Sequence, residues 1–190
     1  MDNTAILSEC YNKAYYSYGT LRLFEKRTNT LKLCRIWITF LGVIIPVMVG
    51  GFALSFGLES KILPRFIFFT GIIGMIQLFL STWSLVARWD EQYDSASDSF
   101  RANVELFNQW QSLRNEQPSN LFEEYHKLKI KTQEQEIKDI VQTITDKEKR
   151  FAYREALKYF NEPCQTCNII PITSKPSKCD GCGNFGVWQF

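Results

Sequence analysis

The sequence predicts an all-α membrane protein, in which a two-helix transmembrane hairpin is joined to long cytosolic helices and a small C-terminal unit. Two runs without a charged residue, 36–58 and 66–87, mark the hairpin. The segments around them repeat apolar residues at helical spacing. The chain closes with four cysteines in two CxxC pairs. These observations divide the chain into four regions: 1–35, 36–87, 88–160 and 161–190.

The first region, residues 1–35, is expected to be one amphipathic helix in the cytosol. It is rich in aromatic residues that would pack on another cytosolic element, and Gly19 is its only weak point. The alternative is a helix lying on a membrane surface, but the basic residues are too sparse to favour it. The aromatic residues are Tyr11, Tyr15, Tyr16, Tyr18 and Phe24.

Each of the two uncharged runs is long enough to cross a bilayer, which needs about 20 helical residues. The short connection 59–65 suits a tight hairpin. A buried core helix is the alternative for one such run, but two in a chain of 190 residues argue against it. A signal peptide is not expected, because about 35 residues with several charges precede the first run.

Basic residues near the runs predict the orientation. They are concentrated before the first run and after the second, with fewer in the connection. Because cytoplasmic flanks carry the excess of Lys and Arg, both termini are expected in the cytosol. The flanking residues are Arg22, Lys26, Arg27, Lys32, Arg35, Arg88 and Arg101, against Lys61 and Arg65.

Residues 88–160 are expected to form cytosolic helices. The second transmembrane helix should continue without a break as far as Pro118, since no Gly or Pro interrupts it. A new helix then begins, with Asn120 and Glu123 as a capping box. Thr145 and Glu148 form a second capping box at the start of the last helix.

The cysteine pairs, separated by eleven residues, predict a structural zinc knuckle. A CxxC pair directs both sulfurs inward, and four thiolates complete a closed tetrahedral Zn²⁺ site. Gly181 and Gly183 are expected to provide the unusual backbone angles of the second knuckle. The alternatives are a redox-active CxxC, which needs only one pair, and an iron–sulfur cluster, which usually has other spacings. The ligands are Cys164, Cys167, Cys179 and Cys182.

Catalysis is not expected. Cys10 and Cys34 are isolated and are interpreted as packing residues. His126 is the single histidine and is interpreted as a surface residue, and no phosphate-binding loop or metalloprotease motif is present. The net charge of +2 is too mild to indicate generic nucleic-acid binding.

The second transmembrane helix carries small and polar residues along one stripe. It continues past Arg88 towards acidic residues, as the lining and mouth of a cation pore would. Helix packing is the alternative, and from the residues alone it is favoured over a pore. On the first helix Gly42, Pro46 and Gly50 also suit packing or a kink. The pore-lining candidates are Thr70, Gly74, Gln77, Ser81, Ser84, Glu91, Asp94 and Asp98.

This combination of features resembles the bacterial SLATT proteins, two-helix membrane effectors associated with nucleotide signalling in phage defence. The shared features are the aromatic first helix, the hairpin and the segment WSLVARWDEQYDSA. The CxxC spacing resembles a CxxC-x11-CxxC subgroup, with Hailong-type effectors as suggested relatives. The resemblance implies a homo-oligomer in the bacterial inner membrane, with a tetramer as the expected state.

The resemblance also implies an antiviral function. A cognate nucleotidyltransferase would make a cyclic nucleotide or a short oligodeoxynucleotide, which opens the pore and depolarises the membrane. The alternative is a membrane-anchored, zinc-containing adaptor that binds a protein or a nucleic acid without forming a pore. Basic residues are candidates for the ligand site, with a solvated helix face as the alternative: Lys127, Lys129, Lys131, Lys147, Lys149 and Arg150.

Overall fold

The computed structural model describes residues 2–56 and 63–186, and all regular secondary structure in these ranges is helical. The prediction of an all-α chain is confirmed. Lys61 and most of the predicted connection lie outside the described residues. The helices are α1 (Asn3–Phe56), α2 (Leu63–Val86), α3 (Trp89–Glu116), α4 (Leu121–Ile140) and α5 (Asp146–Phe160).

The chain divides into two compact units. The first, here called the helical domain, comprises Met1–Thr28 and Asp94–Phe190, and the second, here called the apolar hairpin, comprises Asn29–Tyr93. Helices α1 and α3 run through the boundaries between the units.

The core of the helical domain joins the start of α1 to α3 and α4. Ile6 and Cys10 of α1 pack with Trp110 of α3 and Tyr125 of α4, all of them essentially inaccessible to solvent. Burial of this apolar surface is the main stabilising contribution to the domain. The prediction that the aromatic first helix packs on another element is therefore confirmed.

Gly19 allows α5 to approach α1 closely. A Cβ atom at this position would lie 2.9 Å from the carbonyl oxygen of Ala152, a contact that real side chains avoid. The residue that looked like a weak point of the first helix is thus a packing site. Tyr18 stacks on Tyr159 of α5 nearby, with ring centroids 4.1 Å apart.

One of the two predicted capping boxes is present. Thr145 accepts a hydrogen bond from the Glu148 amide, and the Glu148 side chain accepts one from the Thr145 amide. The prediction for Asn120 is wrong. Its backbone is not in the extended conformation that a capping residue adopts, and its side-chain amide donates to Glu124 instead.

The predicted continuous helix after the second apolar run is interrupted at Ala87 and Arg88. Arg88 adopts a left-handed conformation with φ of 52°. The Gln92 side chain donates to the Ala87 carbonyl oxygen at 2.8 Å and so satisfies an acceptor at the break. Since neither Gly nor Pro marks this position, the sequence carries no local signal for it.

The apolar hairpin has its large apolar side chains on the outside. Val43, Phe68, Phe79 and Leu85 are all exposed. In each helix the most apolar window has no buried residue, and both helices are long and apolar enough to cross a membrane by length and composition.

Candidate metal centre

The fold brings the four predicted ligands together in one cluster. The Sγ atoms of Cys164, Cys167, Cys179 and Cys182 all lie within 4.8 Å of one another. The Cys164 and Cys179 sulfurs are 4.0 Å apart, and so are those of Cys167 and Cys182. A disulfide would need about 2.05 Å, and all four thiols are free.

This donor set fits a metal ion. A tetrahedral ion bound at about 2.3 Å from each sulfur requires sulfurs about 3.8 Å apart. The two separations of 4.0 Å need only a small contraction, and no separation in the cluster exceeds 4.8 Å. Cys164 and Cys182 are buried, whereas Cys167 and Cys179 are partly exposed. The cluster can therefore bind a metal ion.

The first pair is shaped by a tight turn. The Asn168 amide donates to the Cys164 carbonyl oxygen at 2.8 Å, and Asn168 itself is left-handed with φ of 56°. The Thr166 amide points to the Cys164 sulfur at 3.4 Å. Burial raises the pKa of Cys164, but the amides of Cys167 and Thr166 outweigh it and lower that pKa to about 7. Stabilisation of the thiolate prepares this sulfur for a metal.

The glycines of the second pair have a different role from the one predicted. Neither Gly181 nor Gly183 has a positive φ, so the expectation of unusual backbone angles is wrong. A Cβ atom on Gly181 would lie 2.3 Å from the Thr166 hydroxyl, and one on Gly183 would lie 2.7 Å from the Ser177 carbonyl oxygen. Gly181 is needed because the two halves of the knuckle lie close together there, and Gly183 because the chain just before the second pair folds back against it.

Helix α5 supports the cluster through Arg154. This nearly buried side chain donates to the Thr173 carbonyl oxygen at 2.7 Å and to the Cys182 carbonyl oxygen at 3.3 Å. Its guanidinium also lies 3.7 Å from the Cys182 sulfur. Because four thiolates around a divalent ion carry net negative charge, a cation here stabilises the loaded site. Sequence reasoning missed Arg154, and no local pattern distinguishes it from the other basic residues of α5.

Another side of α5 is bound by α1. Arg27 forms a two-pronged ion pair with Glu148, with one contact at 2.7 Å, and also donates to the carbonyl oxygens of Gln142 and Thr143. Burial raises the pKa of Glu148, but the hydrogen bonds from Arg27 and Thr145 outweigh it and leave that pKa below its ordinary value. Helix α5 thus links the cysteine cluster to α1.

The predicted pore-lining residues of α2 lie on its more protected face. All five are partly buried, whereas the apolar residues between them are exposed. The Gln77 amide nitrogen lies 3.0 Å from the position that a Cβ on Gly42 would take, so this face packs against α1. Packing against α1 is thus seen at Gln77, whereas nothing lies within 4 Å of a Cβ placed on Gly74. The residues are Thr70, Gly74, Gln77, Ser81 and Ser84.

The acidic candidates beyond α2 are exposed. Glu91 pairs with Arg88 at 3.2 Å in the apolar hairpin. Asp94 and Asp98 lie on α3 in the helical domain, with their side chains in solvent. Exposed carboxylates of this kind also occur on ordinary helix surfaces.

Most of the basic ligand candidates are held in ion pairs. Lys127 contacts Glu123 and Glu124, Lys129 contacts Glu9 at 2.9 Å, and Lys131 contacts Glu105 at 2.6 Å. On α5, Lys149 pairs with Asp146, Arg150 donates to the Asn184 carbonyl oxygen, and Lys147 is exposed. A cavity of about 380 Å³ includes Lys127 and Lys131, but Glu116 and Glu124 line it as well. Neutralised lysines make a poor site for a polyanion.

The remaining singled-out residues behave as packing or surface residues. His126 is exposed, and Cys10 is buried in the core, where burial raises its pKa to about 11. Sequence reasoning missed a buried polar contact between α3 and α4. There the Asp139 carboxylate accepts hydrogen bonds from Asn103 at 2.8 Å and from Gln135 at 2.7 Å.

These features define a class: a helical protein with an apolar two-helix hairpin and a C-terminal four-cysteine metal knuckle. The family model described as the mobilome CxxCx(11)CxxC protein matches residues 7–185. The chain belongs to this family. Neither the curated proteins nor the solved structures gave a match. The family match agrees with the predicted CxxC-x11-CxxC grouping, and the SLATT assignment stays a prediction.

Proposed function

We propose that the metal is zinc and that its role is structural. Four thiolates fill a tetrahedral shell and leave no open position for a substrate. Cys164, Cys167, Cys179 and Cys182 would hold the ion, and Arg154 would balance part of the charge. Elemental analysis of the purified chain should find about one zinc per protein. Iron in place of zinc would contradict the proposal.

We also propose that the apolar hairpin is inserted in the bacterial inner membrane, with both termini in the cytosol. The polarity of the apolar hairpin supports membrane insertion, because its apolar side chains lie outside and its polar stripe lies on the more protected face. Lipid favours this arrangement, and water does not. Carbonate extraction of cell membranes should leave the protein in the pellet, and a C-terminal fluorescent fusion should fold in the cytosol.

Within that membrane, we propose that the protein is an oligomeric effector of antiphage defence that conducts ions on activation. Support comes from the resemblance to SLATT effectors and from the polar stripe of α2. Because Gln77 packs against α1, the hairpin would have to rearrange before this side chain could line a pore, and we take the packed arrangement as the resting form. Activation would have to move Gln77 out of this contact, so that Gln77 and Ser81 line a lumen shared by several copies.

The activating signal would be a cyclic nucleotide or a short oligodeoxynucleotide from a cognate nucleotidyltransferase. The proposal of a nucleotide signal is supported by the resemblance to the SLATT proteins. The ion-paired lysines of α4 do not form a concentrated positive surface for such a ligand. We therefore do not assign the ligand site to them.

Conductance of the purified protein in planar bilayers tests the effector proposal, with the product of the cognate nucleotidyltransferase added. Gln77→Leu and Ser81→Leu should abolish the current without loss of the oligomer. Thr82→Leu is the matched control, because it removes a hydroxyl from the exposed side of the same helix and should leave the current unchanged. No current from the activated wild type would contradict the proposal.

A membrane-anchored adaptor is the second candidate, and two observations favour it. Gly42 and Gln77 already form a close helix contact without other copies. In addition, the loop between the cysteine pairs exposes Ile169 and Ile172, a small apolar surface suited to a protein partner. An adaptor would lose partner binding on Ile172→Ser and would conduct no current in the bilayer experiment.

A further inference from the structure

Helix α4 carries an apolar stripe on its solvent side as well as the apolar face that it turns to the core. Phe122 is 55% exposed, Ile130 58%, Ile137 66% and Val141, just past the helix end, 79%. His126 and Gln133 lie between them and are also exposed. Successive members are four, four, three, four and four residues apart, which keeps them on one face of the helix.

Charged residues along one flank of this stripe are complementary to themselves. In chain order this first flank carries Glu123, Lys127, Glu134 and Lys138, so its charges alternate beginning with a negative one. Followed from the C-terminal end, the charges alternate beginning with a positive one. The flank is therefore complementary in charge to a second copy that runs in the opposite direction. On the other flank, Lys129 already pairs with Glu9, and Glu136 pairs with Lys13. Contacts with α1 therefore occupy the second flank.

This pattern selects an antiparallel arrangement of two α4 helices. On the first flank the ion pairs of Lys127 stay within α4, with Glu123 and Glu124. A two-fold axis perpendicular to the helices brings this first flank of one copy against the same flank of the other, where Lys127 would exchange these exposed pairs for one with Glu134. Lys127 then lies opposite Glu134 of the second copy, and Glu123 lies opposite Lys138. A parallel pair would instead place the first flank of one copy against the second flank of the other, so Lys127 would not face Glu134.

The apolar stripe and the charged flank are centred at nearly the same point along α4. With Lys127 opposite Glu134, Phe122 of one copy lies near Val141 of the other, and Ile130 lies near Gln133. The charged positions and the contact of Phe122 with Val141 thus agree on one register, in which these two apolar side chains would be removed from water.

We propose that the outer stripe of α4 is a homodimer interface in which two copies of this chain pair antiparallel. The interface is separate from the membrane hairpin and does not depend on conduction. A lipid surface is a less suitable occupant. Helix α4 carries four lysines and five acidic residues, whereas helices that lie on membranes usually carry a cationic face.

Site-specific photo-crosslinking of the full chain in detergent micelles tests the pairing. Benzoylphenylalanine in place of Phe122 keeps an aromatic group at this exposed position. In a mixture of unlabelled and ¹⁵N-labelled protein, we expect inter-chain cross-links to the peptide that contains Val141. Cross-links to the peptide around residue 122, or to detergent alone, would overturn the antiparallel dimer.

Charge reversal tests the register independently. Lys127→Glu and Glu134→Lys should each weaken the dimer roughly two- to fivefold, because each places two like-charged pairs in the interface. The double variant should restore the wild-type dissociation constant. Lys149→Glu is the control, because it reverses an equally exposed lysine on α5. Equal dissociation constants for all four variants would overturn the proposed register.

Discussion

The helical domain and the apolar hairpin distribute the same residue types in opposite ways. The domain buries Phe24 and Trp110 and exposes most of its charges. The hairpin exposes Phe68 and Phe79 and keeps Gln77 partly buried against α1. Water around the domain and, as proposed above, lipid around the hairpin would account for this difference.

The helical domain and the apolar hairpin also differ in the kind of internal contact that stabilises each of them. The domain relies on directional contacts between distant segments, such as Arg27 with Glu148 and Arg154 with the cysteine knuckle. In the hairpin the helix contacts involve small residues and stacked rings, as with Gly42 and Gln77 or Phe52 and Phe66. Changes in the domain should therefore cost more stability than similar changes in the hairpin.

Loss of a buried cysteine ligand should give the largest effect. Cys164→Ser replaces one of four thiolates, and structural zinc sites contribute on the order of 10 kcal/mol to folding. We expect loss of bound metal and unfolding of the C-terminal segment, measured by elemental analysis and by hydrogen exchange of residues 161–186. Cys34→Ser, outside the cluster, is the control. Full metal content in Cys164→Ser would contradict the site.

A pair of identical substitutions compares the two units directly. Trp110→Ala should cost about 3–5 kcal/mol, because the indole is fully buried and its N–H donates to Thr132 at 3.0 Å. Trp83→Ala removes an exposed indole from the hairpin and should cost far less. Thermal unfolding in micelles, followed by circular dichroism, measures both. Equal losses of stability in the two variants would contradict the proposed difference between the helical domain and the apolar hairpin.

The Arg27–Glu148 pair should give an intermediate and pH-dependent effect. Glu148→Gln leaves Arg27 without its anionic partner and should cost about 2 kcal/mol at neutral pH. Because the pKa of Glu148 is lowered by folding, its contribution is present above the ordinary carboxyl value of 4.5. The contribution is then lost as the pH falls through the lower pKa of the folded state.

The difference in unfolding free energy between wild type and Glu148→Gln should therefore narrow in acid. Chemical unfolding at pH 7 and at several values below 4.5 measures this difference. Metal release in acid affects both proteins and cancels in the comparison. A difference that does not change with pH would show that the pair is not ionic.

The smallest effect is expected for overpacking in the hairpin. Gly42→Ile places a side chain against the Gln77 amide, and the flexible end of Gln77 can move aside, so we expect a cost of about 1 kcal/mol. Gly71→Ile is the control, because nothing lies within 4 Å of a Cβ there. Thermal unfolding in micelles compares the two. Identical stabilities would mean that the hairpin helices do not pack at Gly42.

Much of the fold could be predicted because its signals are local. Helical spacing and the two uncharged runs predicted the all-α structure, and the Thr145 capping box depends on residues three positions apart. The turn at Arg88 could not be predicted in this way. It has no Gly or Pro, and its left-handed backbone is accompanied by a contact from Gln92.

For the candidate metal centre, the sequence by itself determined which four cysteines come together, because CxxC spacing sets which sulfurs can converge on one ion. The tertiary structure decided what surrounds them. Arg154 meets Cys182 across 28 residues, and Gly181 owes its identity to the Thr166 side chain rather than to its own backbone. It also decided that the second apolar stripe of α4 faces solvent. Such properties depend on contacts between distant segments, which local spacing does not specify.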